Sequence, residues 1–194
     1  MPHLEKLTVR ELFERASSTA PSPGGGAVAA VGGMLGISLI LKALRISLRN
    51  AEDAGAYARD DAALTDLALR LAEDADADEG AFAAYVNAAR LPKGTEDERG
   101  ARNAALRKAA IGATDAGIEM LRHAQEAFAV SRRVEAAIKR NIEADLVAGR
   151  EFLKVVRTVA VENCRANLSA LRDSPEGDRL ERLVALHSEA PAFE

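Results

Sequence analysis

Pro21, Ser22 and Pro23, then Gly24, Gly25 and Gly26, lead into residues 27–41, fifteen positions without one charged side chain. The prolines keep the approach out of helix, and the glycines leave the backbone open to conformations that other residues avoid. A helix that is apolar on all sides has to be buried on all sides. At 1.5 Å per residue the uncharged run spans about 22 Å, short of a bilayer core of roughly 30 Å. Lys42 and Arg45 follow it at once. The run therefore predicts the central helix of a bundle and no membrane span, entered from a glycine turn whose free N–H groups could face a ligand.

Nothing else in the chain competes with helix. Alanine is abundant, aromatic residues make up 4% and tryptophan is absent. Small side chains let helix axes approach closely. Runs with period-2 alternation are missing, so the expectation is an all-α fold, a single-domain bundle of long, largely antiparallel helices over residues 1–194. A net charge of −4 without a basic tract argues against a nucleic-acid partner. The single cysteine, Cys164, excludes an internal disulfide. Residues 1–14 are charged and lack the apolar core of a signal peptide. Together these predict a cytoplasmic protein.

Thr8 with Glu11 has the spacing of a capping box and predicts a helix to Ala16, with Leu12 and Phe13 facing the core. The apolar helix should run to about Asn50. On its second half Ser38, Lys42, Arg45 and Arg49 share one side. That side is either a solvated face complementing the helix C-terminus or a basic strip for a carboxylate or phosphate. Residues 53–90 predict one long helix with the stripe Leu64, Ala68, Leu71, Ala75, Phe82, Tyr85 and Ala89. Asp78 completes the spacing of that stripe, whereas Asp74, Asp76 and Glu79 point elsewhere and can be solvated. A carboxylate on a core-facing stripe is costly unless it is paired or does chemistry. Either a buried ion pair or a catalytic acid accounts for it.

Pro92 and Gly94 end that helix, and Thr95 with Glu98 forms a second capping box. The next helix should present Ala109, Ala113, Gly117, Met120 and Ala124, and break between Glu126 and Arg133. The last long helix, over residues 133–171, carries a stripe through Ile138, Asn141, Asp145, Gly149, Phe152, Val156, Val159, Asn163 and Asn167. Four polar residues on that stripe are either a satisfied network or the grip on a polar ligand. Residues 174–177 break the chain before a short terminal helix over residues 178–188.

Several chemistries have no sequence support. No HExxH, paired Cys-x-x-Cys or His–carboxylate cluster is present, so no protein-bound metal is expected. The glycine run follows no strand and precedes no Lys-Ser/Thr, so it is neither a dinucleotide fingerprint nor a phosphate loop. His3, His123 and His187 are expected at the surface. Cys164 has no histidine placed to activate it and should pack as a small hydrophobe. Any chemistry falls to acids, amides, backbone N–H groups and a few basic side chains.

The order of these features resembles the cyclodeaminase/cyclohydrolase family, which includes the cyclodeaminase domain of formiminotransferase-cyclodeaminase and methenyltetrahydrofolate cyclohydrolases. Pro23 and the three glycines open the apolar helix as in that family. Asp78-Glu-Gly-Ala-Phe82 resembles its Asp-x-x-Ala-Phe, and Leu91-Pro92-Lys93, Glu98 and Arg102 follow at matching distance. Asn141 with Asp145 resembles Asn-x-x-x-Asp, and the run from Asn163 to Leu168 resembles Asn-x-Arg-x-Asn-Leu. Two positions depart: Ala27 stands where the family has serine, and Leu41-Lys42 where Met-Val is common.

The resemblance implies an all-helical homodimer acting on a tetrahydrofolate derivative as substrate, with no bound cofactor. It implies Asp78 as general acid/base. It places Asn141, Asp145, Asn163 and Asn167 on the pterin or the one-carbon unit. The backbone of Gly24, Gly25 and Gly26 would allow close approach, and Lys42 and Arg45 would attract the glutamate tail. A non-catalytic helical dimer holding a folate-like or anionic ligand is the competing reading, kept open by Ala27 and Lys42.

Overall fold

The structure, a computed structural model, describes residues 3–51, 54–172 and 174–188. Among these, helices α1 (Val9–Ala16), α2 (Gly25–Leu48), α3 (Ala58–Ala89), α4 (Glu96–Val134), α5 (Glu143–Leu168) and α6 (Pro175–Ser188) make up nearly all of the regular structure, with short 3-10 turns between them. Both capping boxes form: Thr8 and Glu11 close the start of α1, and Thr95 and Glu98 that of α4. The expected start of the third helix at Asp53 lies outside the described residues. A 3-10 turn at Ala54–Tyr57 precedes α3.

Cross-helix contacts fix the directions. Gly25 meets Val159 and Gly36 meets Gly149, so α2 and α5 run antiparallel. Arg45 bonds Asp61 while Ala27 bonds Asp78, so α2 and α3 do too. Arg133 reaches Asp60 and His123 reaches Asp74 across α3 and α4. Arg150 bonds Ser131 and Cys164 meets Gly117 across α4 and α5. The result is an up-down-up-down square of α2, α3, α4 and α5. Leu44, Leu64, Leu71, Leu121, Leu146 and Leu153 are fully buried within it, each contributing on the order of 2 kcal/mol.

Glycine sets the spacing between α2 and α5. A Cβ on Gly36 would stand 2.5 Å from Phe152 Cβ, and one on Gly149 would stand 2.5 Å from the Gly36 carbonyl oxygen. The two backbones touch there, which a larger residue forbids.

Several expectations are corrected. Gly25 and Gly26 belong to the first turn of α2, and no glycine among the described residues has positive φ, so room explains them better than conformational freedom. At 24 residues α2 is also longer than the uncharged run, about 36 Å, enough to cross a bilayer. Length alone therefore does not exclude a span, and burial between α3 and α5 is what marks α2 as a core helix. That burial is incomplete, because Val28, Leu35 and Ile46 are exposed on one side. Phe13 is 69% exposed and only Leu12 of the expected pair touches the core. The break foreseen between Glu126 and Arg133 falls instead at Glu135–Ala137 and Arg140–Ile142. Ala127, Phe128, Val130 and Ser131 are buried and hold the helix past the expected stop. Residues 133–142 are therefore not part of α5, and α6 takes in Pro175 at its first position, where a missing N–H costs nothing.

Two glycine substitutions separate propensity from packing. Gly149→Ala should lose about 1–3 kcal/mol in urea unfolding through overpacking against α2. Gly100→Ala, on an exposed face of α4 with nothing within 4 Å, should gain about 0.5–1 kcal/mol.

Candidate active site

Because α2 is shorter than α3 and α4, it leaves one corner of the bundle empty at its N-terminal end. The space is a cavity of about 300 Å³ bounded by the start of α2, the second half of α3, the middle of α4 and the C-terminal turns of α5. Gly24, Gly25, Gly26, Asp78, Asn163 and Asn167 all line it, so six of the expected site residues meet there.

Asp78 is held at the first turn of α2. The Ala27 N–H, one of the groups that a helix start leaves without an internal partner, donates to Asp78 Oδ2 at 3.0 Å. The Asn163 side chain also hydrogen-bonds the carboxylate. A Cβ on Gly26 would fall 2.6 Å from Asn163 Nδ2 and closer still to Asp78, so glycine there is the condition for the contact. Burial pushes the Asp78 carboxyl above its ordinary value and the neighbouring Glu79 charge adds to this. The Ala27 N–H and the Asn163 amide pull the other way without cancelling it.

The rest of the acidic run is engaged by other parts of the chain and is not simply solvated. Glu79 lines the cavity and accepts from Arg15 of α1 at 3.0 Å and from the Ser22 hydroxyl, tying α1 and the proline turn to the mouth. Asp76 holds the N-terminal 3-10 turn through the Leu4 N–H at 3.1 Å and the His3 ring. Asp74 is buried and pairs with His123 Nδ1 at 2.8 Å, so neither is a surface residue. His123 Nε2 has no hydrogen-bond partner and lies 3.9 Å from Glu119. His187 is half-buried on Gln125. Their helical phase differs from that of Asp78, but α1, α4 and the N-terminal turn cover those faces as well.

Four expected site residues lie elsewhere. Lys42 is seventeen positions along α2 from Gly25, roughly 25 Å away. Its Nζ stands 2.8 Å from Asp145 Oδ2, in an ion pair that lacks hydrogen-bond geometry at that oxygen. Arg45 is held by Asp61 and Thr65. Asn141 is exposed in the 3-10 turn before α5. Of the four polar residues on the α5 stripe, only Asn163 and Asn167 reach the cavity.

Phe82 and Tyr85, which continue the core-facing stripe in sequence, are partly exposed walls of the cavity. The apolar stripe of α3 serves the core as far as Ala75 and the cavity beyond Asp78. That change of surroundings has no local signal in the residues themselves. The cavity lining contains two carboxylates, two amides, two aromatic rings and no lysine, arginine or histidine. Among the described residues no three His, Cys, Asp or Glu side chains converge as a metal would require. Cys164 packs against Gly117 behind the wall, with its thiol pushed up to about 12 by burial.

A family model described as formiminotransferase-cyclodeaminase matches residues 8–184. A methenyltetrahydrofolate cyclohydrolase from Methylorubrum extorquens is 27% identical over 195 residues, covering 96% of this chain and 91% of the relative. The crystal structure of a formiminotetrahydrofolate cyclodeaminase from Thermotoga maritima superposes with a TM-score of 0.82 at 19% identity, over 94% of this chain and 89% of that one. At that identity the structural match speaks for the fold.

The raised Asp78 carboxyl has a consequence for stability. Protons bind it more tightly in the folded state, so from pH 3.8 upward to its raised value its ionisation weakens the fold. In urea titrations across this range, Asp78→Asn should remove that part of the pH dependence. If the slope is unchanged, Asp78 is not the group responsible.

Proposed function

The chain belongs to the formiminotransferase-cyclodeaminase family, and on that premise we propose that it works on the one-carbon bridge of a reduced folate. It either closes a formimino group to the methenyl bridge with loss of ammonia, or opens the methenyl bridge with water. The observation that carries this reading is a cavity with Asp78 and Glu79 in its wall, where Asp78 is biased toward its protonated form, and with no cationic side chain. Both candidate substrates carry positive charge at the reacting carbon, as an amidinium or an iminium. Such a cation suits carboxylates and aromatic faces and would be repelled by a basic lining.

One proton carrier serves both reactions. In ring closure, N10 attacks the formimino carbon, Asp78 accepts the N10 proton and returns it to the departing nitrogen, which leaves as ammonia. In ring opening, Asp78 accepts a proton from the water that attacks the methenyl carbon. It returns that proton to N5 as the carbon–N5 bond breaks, the second proton of the water leaves the carbinol oxygen for solvent as the carbonyl forms, and the formyl group remains on N10. A carboxyl pushed up by burial holds a proton more readily than an ordinary aspartate and can pass it on to a departing nitrogen. Asn163 fixes the carboxylate, Asn167 offers a donor and an acceptor to the polar edge of the pterin, and Phe82 and Tyr85 supply faces for its rings. The working form we infer is a homodimer, supported by the exposed apolar side of α2.

Turnover of methenyl- and formimino-tetrahydrofolate, followed by the absorbance of the methenyl chromophore, tests this reading. Asp78→Asn should lower kcat by about 10²–10⁴-fold with the helical circular dichroism intact. Binding of tetrahydrofolate by the wild-type chain with no turnover of either substrate would support a binding protein instead.

A further inference from the structure

Two opposite charges meet at the mouth of the cavity, and the chemistry above uses only the negative one. Glu79 lines the cavity, and Arg15, from the last turn of α1, stands outside the lining with its guanidinium 3.0 Å from Glu79 Oε1. The same oxygen accepts from the Ser22 hydroxyl. Both donors thus share Oε1, while Oε2 takes no hydrogen bond from the described residues and stays accessible.

The build of α1 holds Arg15 at this point. The Thr8–Glu11 capping box fixes the first turn, and a basic residue in the last turn suits the negative end of the helix dipole. Of the eight residues of α1 only Leu12 and Arg15 are not exposed. Three positions apart, they share a face: Leu12 packs against the core and Arg15 reaches Glu79. The Arg15 side chain keeps 27% of its surface open, against 11% for Glu79. A pair with one member this open to water is worth little to stability by itself. A guanidinium carries five N–H donors and can serve several acceptors at once.

Size and charge order point to what such a group would meet. The cavity has room for a pterin and its bridge, at the small end for a ligand site, so the carboxylates of the substrate's glutamate tail must lie outside it. Asp78 and Glu79 are in the wall and Arg15 is beyond it, so negative charge gives way to positive on leaving the cavity. Both candidate substrates carry the opposite order, positive at the reacting carbon and negative at the tail. Lys42 and Arg45, expected from the sequence to attract that tail, are held by Asp145 and Asp61 at the far end of α2.

Resting on the folate reading above, we propose that Arg15, held at the rim by Glu79, binds the carboxylate of the substrate's glutamate tail. The mouth then selects a folate over a pterin without a charged tail.

The dimethyl ester of each substrate neutralises the tail and leaves the ring system intact. Wild-type protein should turn over the free acid with a kcat/KM about tenfold or more above that of the diester, the difference lying in KM. With its helical circular dichroism unchanged, Arg15→Gln should lose that factor on the free acid and change by less than about twofold on the diester, and Arg15→Lys should recover part of it. Calorimetric titration of tetrahydrofolate and its dimethyl ester makes the same comparison without turnover. Tail-dependent binding that is lost in Arg15→Gln, in a chain that turns over neither substrate, would keep the role of Arg15 and sink the enzymatic reading. Turnover with equal kcat/KM for acid and ester, or an equal loss on both in Arg15→Gln, overturns the role of Arg15 and leaves the folate reading in place. A wild-type chain that neither binds nor turns over any of these folates overturns both.

Discussion

The contact between the Asp78 carboxylate and the first turn of α2 organises this molecule. It depends on three neighbours in sequence acting in different ways: Gly24 starts the helix, Gly26 leaves room for the carboxylate, and Ala27 donates its N–H. A helix start favours negative charge, whereas burial opposes it. At Asp78 burial prevails, and the group is held in place by bonds that alone would have pulled its carboxyl below the ordinary value. Position and protonation are thereby set by separate causes. Loss of the hydroxyl that serine would supply at position 27 leaves this contact untouched, because the backbone makes it.

The surrounding acidic run does structural work of the same kind. Asp74, Asp76, Asp78 and Glu79 lie within two turns of α3, and each engages a different part of the chain: α4, the N-terminal turn, the start of α2, and α1 with the proline turn. Four carboxylates this close would repel one another if all faced the same way. Helical phase distributes them, and each meets its own donor. The segment of α3 that carries the candidate acid is therefore clamped from several sides, which limits how far Asp78 can drift from the glycine turn.

Much of this was legible in the residues. Capping boxes, uncharged runs and punctuating prolines act locally, so the starts of α1 and α4 could be read directly. Asp78 was conspicuous because its position on the α3 stripe conflicts with its charge. The errors share a different cause. Phe82 and Tyr85 continue the same stripe as Leu71, and only the early end of α2 turns their surroundings from core to cavity. His123 and Asp74 look exposed until α3 and α4 are laid side by side. The end of α4 carries no glycine or proline, and burial of Phe128 and Val130 extends it. Each miss concerns what a neighbouring helix covers, and that is not a local property.

The same limit bears on Lys42 and Asp145. Within one chain they form an exposed end of an apolar strip, and nothing near them explains an incompletely bonded ion pair beside uncovered leucine and phenylalanine. A helix as apolar as α2 leaves a side bare only at a cost of roughly 25 cal/mol per Å² of surface left in water. The homodimer inferred above would remove that cost over the whole strip at once, because a twofold places the same apolar surface on both partners.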